Sequence, residues 1–390
     1  MHRVVVTGIG PIVHGATGKD EFWDMLINKK ASPCEIPPQW EEHYKYKSRF
    51  YIPAPVLEKT NQFIDNASNI AVHSARLAVY DSMIENVQDF GVILGIGMGD
   101  LQNGLTSFKA HVTGEGRFNR MVIPSNMASA CSANVAIDLG TQNFAYTVNT
   151  ACSSGNTAIG EAYMAIKHGR AKGIITGGVE CLDDGAGGIM RGFDVLTTLT
   201  KSCDGLPKPF SQERSGFLMN LGAGCVVVLE ELEYAKSRGA KIYAEIVGYA
   251  HNNDSHSLLQ MQVSGEKIEQ LFNIINPDEV DYINAHGTAT LQNDELEADI
   301  IKRVFGEKQP IVNSSKGIIG HSIGASAALE FAVCCLSIKN NTIHGNLTSS
   351  PFDGLNLPLE TIKTKVDTAI NCSYGFGGHN TLLALRKYND

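Results

Sequence analysis

The stretch Phe144-Ala145-Tyr146-Thr147-Val148-Asn149-Thr150-Ala151-Cys152-Ser153-Ser154-Gly155 decides how the chain is read. Its opening, Phe144 to Val148, is apolar and rich in aromatic and β-branched residues, too short for a helix and suited to a buried strand. Further on, Thr157-Ala158-Ile159 and Ala162-Tyr163-Met164-Ala165-Ile166 place apolar side chains at three- and four-residue spacing until Gly169 closes the segment, which predicts a helix. Cys152 is therefore expected on a strand-to-helix turn. The unpaired N–H groups and the positive end of a helix dipole favour thiolate over thiol at such a place. Ala151, Ser153, Ser154 and Gly155 are small, so backbone can approach a bound group closely. This is the logic of a nucleophile elbow with sulfur at its tip. The competing reading is a buried structural cysteine, the common fate of any single cysteine.

The same alternation extends in both directions. Val4-Val5-Val6, the run from Gly91 to Ile96, the run from Gly173 to Thr176 and Cys225-Val226-Val227-Val228-Leu229 read as apolar strands, most of them ending in glycines. Residues 19–27 and 70–83 have helical spacing, and residues 32–55, with five prolines and five aromatics, read as an irregular surface cover. Continuous apolar strands alternating with helices predict an α/β core whose sheet is buried on both faces. Residues 230–239 read as a charged, exposed helix and connector, after which a second series begins at Lys241-Ile242-Tyr243-Ala244 and runs through Tyr282-Ile283, Ile311-Val312, a helix over 325–338 and the strands near Cys372 and Leu383. The expected organisation is two similar α/β halves, 1–239 and 240–390.

Composition narrows the function. Of 390 residues 43% are apolar and 19% charged, an ordinary globular balance, and the net charge of −9 argues against general affinity for nucleic acid or anionic membrane. The nine cysteines are scattered without a CxxC pair, and no HExxH spacing occurs, so neither a disulfide framework nor a metal site is expected. The turn Gly8-Ile9-Gly10-Pro11-Ile12-Val13 has valine where a dinucleotide fingerprint needs its third glycine. With no signal peptide and no apolar run able to span a bilayer, a cytoplasmic location is the expectation.

Three glycine-rich stretches of the second half each follow an apolar run, the place where α/β proteins assemble sites. They are Asn284-Ala285-His286-Gly287-Thr288-Ala289-Thr290, Asn313-Ser314-Ser315-Lys316-Gly317-Ile318-Ile319-Gly320-His321, and Asn371-Cys372-Ser373-Tyr374-Gly375-Phe376-Gly377-Gly378-His379-Asn380. A histidine at such a turn is often structural. Two at equivalent turns, one with a lysine five residues before it, are less easily dismissed.

In this order and separation, the TACSSG, HGTAT, SSKGIIGH and GFGGHN segments resemble the β-ketoacyl-acyl-carrier-protein synthases of the elongating, Cys-His-His type, members of the thiolase-like superfamily. The resemblance runs from Val4 to the C-terminus and implies a five-layered α-β-α-β-α fold. It implies that Cys152 takes an acyl group as a thioester, and that His286 and His321 stabilise the enolate formed when a malonyl group loses carbon dioxide. It places the N–H groups of Cys152 and Phe376 in an oxyanion hole, and Lys316 and Glu330 in a buried network that is either part of the chemistry or a structural ion pair. Thr288 and Thr290 match contacts to a phosphopantetheine arm, Phe376 and Phe193 match aromatic gates, and Met98 matches a residue limiting pocket depth. No metal or free cofactor is implied, the phosphopantetheine being carried by the acyl carrier protein. The implied partners are that carrier protein, with Arg191, Lys201 and Lys208 as a basic rim, and a second subunit in a homodimer or a heterodimer with a chain-length-factor-like homologue. The family's PFDxxRDGFVxGEGAG segment is altered at Ser211, Ser215, Asn220 and Leu221. That change, with shortened loops after Leu199 and Leu259, turns the expectation from housekeeping fatty-acid synthesis toward a specialised polyketide or polyene pathway. A thiolase or a non-catalytic pocket-shaping subunit is the remote alternative.

Overall fold

The computed structural model describes residues 1–275 and 280–389. Among the described residues the main sheet has eleven strands, of which the short Ala16–Thr17 pairs only with the end of the first, and the other ten are β1 (Val4–Val13), β2 (Gly91–Gly95), β3 (Ala145–Val148), β4 (Gly173–Cys181), β5 (Gly222–Glu231), β6 (Ala244–Asn253), β7 (Tyr282–Asn284), β8 (Ile311–Asn313), β9 (Thr368–Gly375) and β10 (His379–Arg386). Their spatial order is β3-β2-β4-β5-β1 followed by β6-β10-β9-β7-β8. Counted within each half, both runs read third, second, fourth, fifth, first, and their strand directions match: β2 is parallel to β3 and β4 as β7 is to β8 and β9, while the fifth strand is antiparallel to both neighbours. The two sheets meet where Val4–Val6 pair antiparallel with Ala244–Ile246.

Helices α1 (Asn66–Ser82) and α2 (Ala130–Leu139) cover the outer face of the first sheet, and α4 (Glu266–Ile275) and α5 (Leu291–Phe305) cover that of the second. Between the sheets lie α3 (Ser154–Lys167) and α6 (Ser326–Asn340). This is the five-layered α-β-α-β-α arrangement. Strand side chains alternate between layers: Ile93, Ile174, Val227 and Leu229 face the central helices, whereas Val92, Leu94, Ile175, Val226 and Val228 face α1 and α2. A strand apolar on both faces therefore reads as an unbroken apolar run. The stretch Ile323–Asn340 is long and apolar enough to span a membrane by composition, yet it is 89% buried within the protein as its central helix. It passes so close to α3 that a Cβ on Gly155 would lie 2.7 Å from the Ala328 nitrogen.

Two expectations are corrected. Strand β5 continues to Glu231, because Glu230 pairs with Val5 on one side and Gly173 on the other. The buried Glu230 carboxylate is matched by Arg238, and the exposed helix is only Leu232–Ser237. Residues 32–55 are not merely a surface cover: Phe50–Ile52 pairs with Cys34–Glu35 on one side and with Met219–Asn220 on the other, and buried Ile36 and Tyr46 belong to the apolar cluster that contains Cys152.

Candidate active site

Strand β3 leads through a 3-10 turn, Ala151–Ser153, into α3, with Cys152 at the middle of the turn. Ala151 has φ of 52°, a left-handed conformation that costs a residue with a Cβ about 1–2 kcal/mol. The turn is held by the Thr150 N–H donating to Ser154 Oγ (2.9 Å) and the Ser154 hydroxyl donating to the Ala151 carbonyl (2.7 Å). The end of β9 closes over it. A Cβ on Gly375 would come within 2.5 Å of the Thr150 carbonyl oxygen, so only glycine permits this approach, and the Ser373 hydroxyl donates to the Cys152 carbonyl (3.1 Å).

Burial pushes the Cys152 thiol up to about 11, against the opposing pull of Lys316 and of the N–H groups of Phe376 and of Cys152 itself. The helix start favours the thiolate as expected, but burial outweighs it. The residue is only 5% exposed, and the hydration lost by a sulfur anion outweighs what the helix start and the lysine return. The two N–H groups still converge at the sulfur, where an oxygen of a tetrahedral intermediate would form.

His286 follows β7, and His321 follows β8 and the short helix Lys316–Ile319. Their rings lie 5.7 Å apart at 86°, both buried. Burial holds both imidazoles well below their usual range, and Lys316 lowers them further, so both are neutral at physiological pH. Lys316 Nζ donates to the His286 carbonyl (2.7 Å) and sits 3.5 Å from His286 Nδ1. An ammonium has only donors, so Nδ1 must accept and the His286 proton resides on Nε2. His321 Nδ1 lies 2.8 Å from Ser326 Oγ, and that oxygen accepts from the Ser322 N–H (2.9 Å), which leaves the hydroxyl proton free to be given to Nδ1. Lys316 forms a fully buried ion pair with Glu330, whose carboxyl burial pushes up to about 7 while Lys316 opposes the shift.

Two carboxylates absent from the sequence reading shape the His286 turn. Glu297 accepts from the N–H groups of His286 and Gly287 (2.8 Å each), and Asp294 accepts from those of Ala289 (3.0 Å) and Phe210 (2.7 Å). Burial raises them to about 7 and about 6. The signal was present as two acids three residues apart at the start of the helix that directly follows Thr290.

Cys152, His286, His321, Thr288, Thr290 and Phe376 all line one cavity. Thr288 and Thr290 hydroxyls are 2.9 Å apart at its wall. Two predicted residues lie elsewhere. Phe193 packs on Phe217 (5.8 Å), and it is Phe217 that stacks edge-on to His321 (5.0 Å) and lines the cavity. Met98 lines a separate, adjoining cavity. Of the basic rim, Lys208 is held by Asp204 (3.1 Å) and Glu213 (3.3 Å), and the Arg191 guanidinium lies over the Tyr44 ring (4.6 Å). In the altered segment, Ser215 Oγ accepts from the Lys201 N–H (2.9 Å), and the Asn220 amide donates to the Ile319 carbonyl (2.8 Å) while its oxygen accepts from the Gly222 N–H (3.0 Å). Among the described residues, no group of three or more His, Cys, Asp or Glu side chains is arranged to hold a metal ion.

Comparison with known proteins bears on this geometry. The family described as "Beta-ketoacyl synthase, N-terminal domain" matches residues 1–235, and "Beta-ketoacyl synthase, C-terminal domain" matches residues 243–350. The chain is 32% identical to 3-oxoacyl-[acyl-carrier-protein] synthase 2 of Coxiella burnetii, over 100% of this chain and 99% of that protein. It is also 32% identical to the Staphylococcus aureus (strain COL) protein of the same name, over 99% and 98%. Among solved structures, the ishigamide ketosynthase/chain length factor superposes with a TM-score of 0.90 at 26% identity, covering 100% of both chains. A type II polyketide acyl-carrier protein in complex with its ketosynthase bound to the hexaketide gives 0.89 at 27% identity, covering 99% of this chain and 100% of that one.

Proposed function

The chain belongs to the β-ketoacyl synthase family of condensing enzymes, and on that premise we propose that it elongates acyl chains on an acyl carrier protein in a specialised polyketide or polyene pathway. One observation carries the reading: Cys152 and two neutral, buried histidines, from opposite halves of the chain, line a single cavity. In the first step Cys152 Sγ attacks the thioester carbonyl of an acyl carrier protein. The Sγ–acyl bond forms, the acyl–pantetheine C–S bond breaks, and the thiol proton leaves with the pantetheine sulfur. The N–H groups of Cys152 and Phe376 hold the intermediate oxyanion, a donor pair of which each member is typically worth about 2.7–4 kcal/mol. In the second step a malonyl thioester loses carbon dioxide, and the electron pair of the broken C–C bond becomes an enolate. The His286 Nε2–H is aimed to donate to its oxygen beside His321, and neutral donors serve here because no proton need be transferred. The enolate carbon attacks the acyl-Cys152 carbonyl, and the sulfur leaves and regains a proton from water.

Thr288 and Thr290 would bind the pantetheine arm, with Phe376 beside the nucleophile. Lys316, paired with Glu330, acts through His286 by fixing its tautomer. The two site halves divide near residue 240. The polyketide reading is supported by the altered segment at Ser211, Ser215, Asn220 and Leu221 and by the two polyketide-type neighbours in fold; the sequence relatives named above are synthases of the 3-oxoacyl type. A second ketosynthase-fold subunit is expected at the open edge of β3, beside exposed Ile137 of the helix α2 that packs on that strand. Carrier protein would meet Lys201 and Arg191 rather than Lys208, whose charge is already matched.

The test is condensation: acyl- and malonyl-acyl carrier protein are mixed with the purified chain, alone and coexpressed with a homologous subunit, and 3-ketoacyl-acyl carrier protein is followed by mass. Product from the chain alone identifies a competent homodimer, and product only with the homologue a heterodimer. His286→Ala and His321→Ala should each lower the rate at least 100-fold, on the order of one lost transition-state donor. Full activity in both variants would refute the assignment.

A further inference from the structure

Glu180, the penultimate residue of β4, is a fully buried carboxylate that the chemistry above does not use. Its Oε2 accepts from the N–H groups of Gly97 (2.8 Å) and Gly324 (3.1 Å), its Oε1 from that of Gly99 (2.7 Å), and the Met98 N–H lies between the two oxygens (3.1 and 3.2 Å). Among the described residues no basic side chain pairs with it; burial pushes the carboxyl up to about 7, and the backbone N–H groups alone oppose that shift. Four backbone donors converging on one anion is the geometry of a nest.

The two segments that it joins form a wall. Ile323 lines the Cys152 cavity, while Gly97 and Met98 line the adjoining cavity of about 380 Å³. The two backbones abut with no space for side chains: a Cβ on Gly97 would fall 2.7 Å from Ile323 Cγ2, and one on Gly324 would fall 2.4 Å from the Gly97 nitrogen. Ile323 also has φ of 47°, and a β-branched residue persists in that region only where its surroundings over-determine it. Glu180, bound to the next residue's N–H, is one such restraint.

We propose that Glu180 is a positioning residue that sets acyl-chain length, latching the Gly97–Gly99 turn to Ile323–Gly324 and so keeping closed a partition between the Cys152 cavity and the cavity beside it. The proposal rests on the acyl-transfer reading of Cys152. With the latch intact, a chain longer than the first cavity must displace both turns at once. With the latch weakened, the strained Ile323 turn relaxes and the second cavity becomes continuous with the first.

The variant Glu180→Gln keeps the shape of the side chain but turns an NH₂ donor toward backbone donors. Asn149→Ala loosens the same turn from the other side, where the exposed Asn149 amide donates to the Gly97 carbonyl (2.7 Å). Rates of Cys152 acylation by butyryl- and dodecanoyl-acyl carrier protein are followed by intact-protein mass. The dodecanoyl-to-butyryl ratio should rise about tenfold or more in E180Q and by a smaller factor in the same direction in N149A. Equal slowing of both primers, or a ratio within twofold of wild type, would overturn the proposal. If E180Q is insoluble, N149A decides alone. Absence of any adduct on the wild-type chain would instead count against the acyl-transfer reading.

Discussion

At Cys152 two fields oppose each other: helix-start N–H groups and the Lys316 charge favour the anion, and burial disfavours it more. With the folded pKa raised to about 11, the thiol is protonated throughout the physiological range, and at pH 8 the thiolate fraction is on the order of one in a thousand. Carbamidomethylation of Cys152 by iodoacetamide should therefore climb about tenfold per pH unit from 7 to 9. A plateau below pH 9 would show a more acidic thiol than the site provides. This economy suits a nucleophile that passes its proton to a leaving sulfur within the same step. The identities of Cys152, His286, His321 and Lys316 were legible because each sits in a local glycine-rich stretch after an apolar run. Glu297 and Asp294 were passed over, because acids in the first turns of a helix read as ordinary surface charge, and their backbone N–H partners lie five to eleven residues upstream or across the fold. The protonation state of the sulfur was not legible for a related reason: the helix start is local, but burial is a property of the folded whole.

Among the elements, α3 and α6, which carry the nucleophile turn and the helix after His321, pass in close contact. Gly155→Ala would place a methyl 2.7 Å from the Ala328 nitrogen, and neither backbone can yield without moving its helix. Overpacking of this kind typically costs about 1–3 kcal/mol. The variant should lower the urea midpoint accordingly and reduce Cys152 acylation more than a surface control such as Gly239→Ala, which meets nothing within 4 Å but sits at φ of 68°. Unchanged stability and acylation would mean that the two helices are not held at this distance in solution. The strands were legible because burial on both faces leaves unbroken apolar runs. Helices α2, α4 and α5 were not singled out, since an amphipathic helix on an outer layer keeps its apolar residues apart. The end of β5 was misplaced because Glu230 and Glu231 read as exposed, whereas Arg238 supplies the charge that lets Glu230 continue the strand inside the core.

For the whole molecule, the repeated strand order brings the ends of β3, β7, β8 and β9 to one place, so that each half supplies what the other lacks. On the proposed mechanism the first half carries the nucleophile, and the second carries the donors and the lysine that orients one of them. That convergence could be inferred from the motifs only through family resemblance, because nothing in the spacing of 134 residues between Cys152 and His286 fixes their distance (286 − 152). The same architecture leaves the open edge of β3 and exposed Ile137 of the adjacent helix α2 for a partner subunit. The central claim is that Cys152 accepts an acyl group in this shared cavity. It is tested most directly by intact-protein mass spectrometry of the chain, coexpressed with a homologous subunit where one is needed, after mixing with a panel of acyl carrier protein thioesters, in parallel with Cys152→Ala. The account predicts a mass increase of one acyl group on the wild-type chain and none on the variant; an adduct of equal yield on Cys152→Ala, or no adduct from any primer, would contradict it.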